Sequence, residues 1–162
     1  MQSPVPALSH SLTALSTILK KAEAHCEAHK IAPDVMLNAR LYPDMMHLTR
    51  NVQTVCDTAK GAAARLSQTE NPSFMDDEAT FEQLQARIQK TLEFMASVPE
   101  VAFDGAEDRE VVLPAGGDEF KFSGAGYMAT FVMPNFYFHM ATVHGILRHN
   151  GVVIGKRDFL GA

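Results

Sequence analysis

The chain has no tryptophan and only two cysteines among its 162 residues. Two cysteines cannot build a disulfide framework; Cys26 and Cys56 lie on helical stretches where a small apolar side chain suits a core, so both are expected as reduced thiols. No run of about 18 apolar residues exists, which excludes a transmembrane helix. The first residues, MQSPVPALSHSLTALSTILKK, lack a basic leader followed by a small-residue cleavage site, so a cytoplasmic location is expected. Positive charge is also scarce: 14 Lys and Arg stand against 19 Asp and Glu, for a net charge of -5, and the basic residues are scattered. Nothing draws such a chain to a phosphate backbone or an anionic lipid surface, so neither nucleic acid nor membrane is expected as a partner. There is no Gly-x-Ser-x-Gly, no Walker-type glycine loop, no Cys-x-x-Cys and no dinucleotide fingerprint, and nucleophilic hydrolysis, nucleotide binding and dithiol redox chemistry lack their usual marks.

What is present is helical periodicity. With 46% hydrophobic and 20% charged residues the composition is that of a folded globular protein, and the length fits one domain spanning 1–162. Leu8, Leu12, Leu15, Leu19, Ala22, Cys26 and His29 alternate steps of four and three, the seam of a bundle helix. Pro33 and Asp34 interrupt the pattern, and Pro43 sits in a first-turn position for a second helix carrying Leu41, Met45, Leu48, Val52, Val55, Ala59, Ala62 and Leu66. Gly61 inside it costs about 1 kcal/mol relative to alanine, so a neighbour packs there or the helix bends. A third helix carries Phe81, Leu84, Ile88, Leu92 and Met95, introduced by acidic residues and Thr80. The only strand-like passage pairs Arg109–Leu113 with Glu119–Phe122 across Pro114-Ala115-Gly116-Gly117-Asp118, a hairpin with a glycine turn. A last helix starts at Ser123, with Pro134 expected to kink it, and carries Phe136, Met140, Val143 and Leu147 on one face. It stops at Asn150-Gly151, and a polar tail follows that Phe159 and Leu160 anchor. The expected elements are helices near 8–29, 41–67, 80–97 and 124–150, with the hairpin near 109–122. The fold class is all-α, an antiparallel four-helix bundle with a short β-hairpin before the last helix.

Two histidines three or four apart on one helix can share a metal ion. His139, His144 and His149 are five apart, so successive ones point ~140° away from each other around the axis. His139 sits at the edge of the apolar face, where a hydrogen bond to a neighbouring helix is the ordinary role. Asp44 and His47 are three apart and together with His139 offer a metal reading, zinc or nickel, if the second and last helices stand in register. Gln53, Asp57 and Lys60 share another flank of the second helix, read as a solvated face with a surface pair. A ligand pocket near His139, Tyr137 and Gln53 is expected from where bundles keep their sites.

The phrases LYPDMMHL, CDTAKGAAARL and PNFYFHMATVHGILRHNGVVIGKRDFLG resemble a bacterial family of about this length, domain-of-unknown-function family nineteen-ninety-three, over essentially the whole chain. The resemblance implies the DinB/YfiT-like helical bundle, whose metal-binding members place one histidine on the second helix and a His-x-x-x-His pair on the last. His47 corresponds to the first and His149 to the last, but Gly145 stands four residues before His149 and Asn150 follows it, so the implied triad is broken. The leading expectation is a bundle that binds a small molecule or a partner without a cofactor. A divalent-metal enzyme using His47, Asp44, His139 or His149 and a structural or stress-associated interaction protein are the alternatives. A homodimer is expected from the Met- and Phe-rich helix faces.

Overall fold

The structure, a computed structural model, describes residues 1–115 and 117–162. Four long helices form an antiparallel bundle: α1 (Val5–His29), α3 (Leu48–Ser67), α4 (Phe81–Ser97) and α6 (Met133–His149), with short helices α2 (Pro33–Leu37), α5 (Gly124–Tyr127) and α7 (Lys156–Leu160). A 3₁₀ turn at Glu100–Phe103 precedes the hairpin β1 (Glu110–Ala115) and β2 (Asp118–Ser123). Helix α3 is the centre, packed between α4 and α6, while α1 lies against α4 and carries α7 on its outer side. That position explains its alanine-rich second half: Ala59, Ala62, Ala63 and Ala64 are all buried, and small side chains allow close approach on more than one face. Among the described residues no helix is long and apolar enough to cross a membrane.

Helix α1 buries Leu8, Leu12, Leu15, Leu19, Ala22 and Cys26, and α4 opens on a capping box in which Thr80 Oγ1 accepts from Gln83 N–H and Gln83 Oε1 accepts from Thr80 N–H. Two boundaries differ from the periodicity. The central helix begins at Leu48 rather than near 41, because the residues around Pro43 form a turn and the His47 side chain supplies the cap, its Nδ1 accepting from Arg50 N–H at 3.3 Å. Leu41, which continued the seam by its spacing, is exposed, as is Tyr42 beside it. The stretch at Pro33, expected as a break, folds into the one-turn α2 with proline in its first turn.

Next to Pro134 the last helix passes through a π-helical turn, Met128–Val132, between α5 and α6. Met133 N–H reaches back five residues to Met128 O, so the ladder is widened next to a residue with no N–H to donate. Ser123 caps α5, its Oγ accepting from Gly126 N–H at 3.1 Å. In the hairpin Val111 pairs with Phe122 and Leu113 with Phe120, placing these four side chains on one face; Val111 and Leu113 are buried. Gly117 takes the left-handed conformation expected of the turn (φ 94°), and Gly116 lies outside the described residues. Gly124 is required by close approach, because a Cβ there would stand 1.8 Å from Ala106 O. Arg109 fastens the base of the hairpin by donating to the Leu66, Ala102 and Asp104 carbonyls. At the other end α7 is held by Phe159, edge-on to His144, by Lys21 paired with Asp158 at 2.5 Å, and by His10 Nε2–H donating to Leu160 O at 2.7 Å. The Leu160 side chain itself is half exposed, so the anchor is mainly Phe159 and polar contacts.

Candidate functional site

The inner face of the hairpin stands over the C-terminal half of α3 and the π turn, and between them lies a cleft of about 460 Å³. Its walls are Leu113, Pro114, Phe120 and Phe122 from the hairpin, Tyr127 and Phe131 from the α5–α6 passage, and Asp57, Thr58, Arg65 and Asn135 from the facing helices. The aromatic side is a connected set: Tyr127 stacks on Phe131 with centroids 5.7 Å apart, and Phe122 lies 6.0 Å from Tyr127 and 6.2 Å from Phe131. Phe120 and Phe131 remain 51% and 38% exposed, so the rings are not spent on the core and the cleft opens to solvent. Tyr127 and Phe131 are four residues apart on this helical passage, a spacing that puts both rings on one side.

The polar side has few members. Arg65 Nη1 donates to Tyr127 Oη at 3.2 Å, and Asn135 Nδ2 donates to Thr58 Oγ1 at 3.1 Å. Burial pushes the Tyr127 phenol up, only partly offset by the Arg65 charge, so it stays protonated at neutral pH. Gly61 now has its reason: a Cβ there would meet Arg65 Nη1 at 2.3 Å, so the missing side chain leaves room for the guanidinium to fold back over α3.

Gln53, Asp57 and Lys60 lie on a flank that is covered rather than solvated: Gln53 and Lys60 are 4% and 5% exposed beneath residues 68–80. The cover is held by Arg87, whose side chain is 1% exposed and bonds Glu78 Oε1 at 2.9 Å, Asp57 Oδ1 at 2.9 Å, Asp76 Oδ1 at 3.0 Å and Met75 O at 2.9 Å. Lys60 Nζ adds Pro72 O at 2.5 Å, Asp57 Oδ1 at 3.3 Å and the Phe74 ring at 4.2 Å. Gln53 Nε2 donates to Glu78 Oε2 at 2.8 Å, so Gln53 belongs to this latch and not to the cleft. Below it Cys56 is buried, which pushes its thiol up to about 12 and leaves it without thiolate character at neutral pH. Burial and the Glu23 charge raise Cys26 as well.

The histidines occupy the other half of the α3–α6 interface. Asn51 Nδ2 donates to the Met46 and His47 carbonyls, so its Oδ1 accepts from His139 Nδ1–H at 2.8 Å. Burial, and then the Arg50 charge, holds the His139 imidazole below the usual histidine value. His47 is lowered by burial and by Arg40 and Arg50, against a hydrogen bond to the Leu37 carbonyl. Tyr137 is half-buried, edge-on to Phe136, and does not line the cleft. Asp44 and His149 are exposed. His47 and His139 thus share Asn51, but His47 through its backbone, and each has its Nδ1 committed. The space beside Gly145, which stands where the implied triad has a histidine, faces the Leu41 side chain at 3.4 Å. Among the described residues no three His, Cys, Asp or Glu side chains are grouped to hold a metal ion. Among the described residues Asp44, His47, His139 and His149 are therefore not gathered into one donor set.

Sequence reasoning missed the cleft residues Arg65, Tyr127, Phe131 and Asn135. The one legible signal was Phe120-Lys121-Phe122, aromatics at period two on a short hairpin with more apolar surface than two strands can bury.

Comparison with known families finds that the model for a domain of unknown function (DUF1993) matches residues 1–160. A crystal structure of a DinB family member protein from Shewanella denitrificans superposes with a TM-score of 0.92 at 39% identity, covering 98% of this chain and 89% of that one. No curated protein matches.

Proposed function

From the premise that the chain belongs to the DUF1993 family and has the fold of a DinB family member, we propose that it binds a small, largely apolar organic molecule in the hairpin cleft without a metal ion. The observation that carries this reading is the cleft itself, about 460 Å³ and within the range of small-molecule sites, with connected aromatic rings left partly open to solvent beside a few fixed polar groups. A chain that needed these rings only for stability would bury them: an exposed Phe such as Phe120 forgoes most of the roughly 25 cal/mol per Å² that burial supplies.

The test uses N-phenyl-1-naphthylamine, a neutral apolar dye that brightens in dry aromatic sites. The wild type takes up one equivalent saturably, and Phe120→Ser with Phe131→Ser loses this while keeping its far-UV circular dichroism. Equal brightening in the two proteins, or none in the wild type, refutes the reading.

A further inference from the structure

Resting on that reading of the cleft, we infer that its ligand is an organic carboxylate, with an aromatic or fused-ring body on the hairpin aromatics and the carboxylate on Arg65. The argument is an inventory of donors and acceptors on the cleft wall. Arg65 carries five N–H donors. One goes to Tyr127 Oη, and among the described residues Arg65 has no carboxylate partner. Tyr127 Oη accepts from Arg65, which leaves its own O–H directed away from the guanidinium, and among the described residues it meets no acceptor. Thr58, by contrast, is committed, donating to Thr54 O at 2.7 Å and accepting from Asn135. The end of the cleft at Arg65 and Tyr127 therefore presents an excess of donors, and an acceptor-only group answers them; a carboxylate matches the guanidinium fork with two parallel bonds.

Charge points the same way. In the latch beside the cleft Arg50, Lys60 and Arg87 face Asp57, Asp76 and Glu78, three cations against three carboxylates linked by ion pairs. Arg65 stands outside that balance. Asp57 also lines the cleft, but Arg87 and Lys60 both hold its Oδ1. It lies eight residues before Arg65, ~12 Å down the helix axis. The carboxylate therefore belongs at the Arg65 end and the apolar body along the rings. Gly61 supports the assignment, since a glycine inside a helix is unfavourable unless something uses its space, and the Arg65 guanidinium occupies it.

The experiment compares naphthalene-2-acetic acid with its neutral amide by calorimetry or NMR titration on the full chain. The wild type is expected to hold the acid roughly ten- to a hundredfold more tightly than the amide, the range of a charge-assisted hydrogen-bond pair. Arg65→Met keeps the apolar stem and removes the charge; it should erase the preference, the acid losing more affinity than the amide until the two bind alike. Gly61→Ala tests the same point with Arg65 still in the chain, because the new methyl displaces only the flexible end of that side chain: helix stability holds or rises while the acid loses its advantage. Equal binding of acid and amide overturns the carboxylate assignment and leaves the cleft reading standing. So does failure of both in a protein that still takes up the neutral dye. A preference that persists in Arg65→Met removes Arg65 from the site, and failure of acid, amide and dye alike overturns both readings.

Discussion

Replacing Arg87 by methionine removes the centre of the latch and leaves its partners behind. Glu78, whose side chain is 10% exposed, loses its bond from Nη1, Met75 loses a donor to its carbonyl, and Asp57 and Asp76 each lose a bond from Nη2. Stripping one member from a buried ion pair costs about 3–5 kcal/mol, because the remaining charge is desolvated without compensation. Asp57 and Asp76 are 38% and 40% exposed and recover water, so the low end applies, about 3 kcal/mol. For a chain of this length each kcal/mol moves Tm by roughly 2–4 °C, and the expected fall is about 6–12 °C. Urea melts followed by far-UV circular dichroism should show a lower midpoint with the same slope. Hydrogen exchange should localise the loss of protection to residues 68–80 before global unfolding. Adding Glu78→Gln to Arg87→Met should restore part of the loss, because the orphaned charge is then gone. A midpoint shift under about 2 °C with residues 68–80 still protected would refute the reasoning, since it would mean the network is no more than a solvated surface cluster.

In the wild type, burial raises the Asp76 carboxyl, but Arg50 and then Arg87 outweigh it and hold it below its ordinary value of 3.8, so its contribution is present above that pH and is lost as pH falls through the lower folded value; an acid titration of stability should steepen there, and less so in Arg87→Met. His139 is lowered by burial and Arg50, so the folded state favours the neutral ring: stability is full above the usual histidine range and declines as pH falls through the folded value. His139→Ala should flatten that decline in Tm between about pH 7 and 5 while costing roughly 1–3 kcal/mol for the unpaired Asn51 Oδ1. Gly124→Ala drives a methyl into Ala106 O, and weakened hairpin amide protection together with lost dye binding is the expected readout; unchanged dye affinity would show that the hairpin does not build the cleft. Protein purified without chelating resin should carry well under one equivalent of zinc or nickel by elemental analysis, and a stoichiometric metal lost on His47→Ala would reverse the reading of the donor set. Cys26 and Cys56 should stay unmodified by a thiol reagent in the native state and both react once unfolded.

Local rules that act within a few residues were legible. The alternation of Leu8, Leu12, Leu15 and Leu19, the Thr80 start of α4 and the Ser123 start of α5 all depend on neighbours in sequence, and the structure places each where the pattern does. The same rule misled at Leu41 and Met45, which kept the period by coincidence while Pro43 made helix unfavourable. The missing donor of Pro134 is visible in the sequence, whereas the widened turn beside it is visible only in the backbone.

The sequence by itself determined that four amphipathic helices must share one core and that one hairpin interrupts them, because hydrophobic period and turn chemistry are properties of short segments. Only the tertiary structure decided which polar residues meet. His139 finds Asn51 across 88 residues and Arg65 meets Tyr127 across 62, contacts that depend on the register of α3 against α6 and α5. Residues 68–80, polar and turn-like in sequence, become a solvent-facing cover over the buried flank of α3 because Arg87, 9 residues past Glu78, draws the Glu78 and Asp76 carboxylates down onto it. Pairing of that kind is set by distances between helices, which no single segment encodes, and it is why the flank of Gln53 and Lys60 read as solvated and folds as covered.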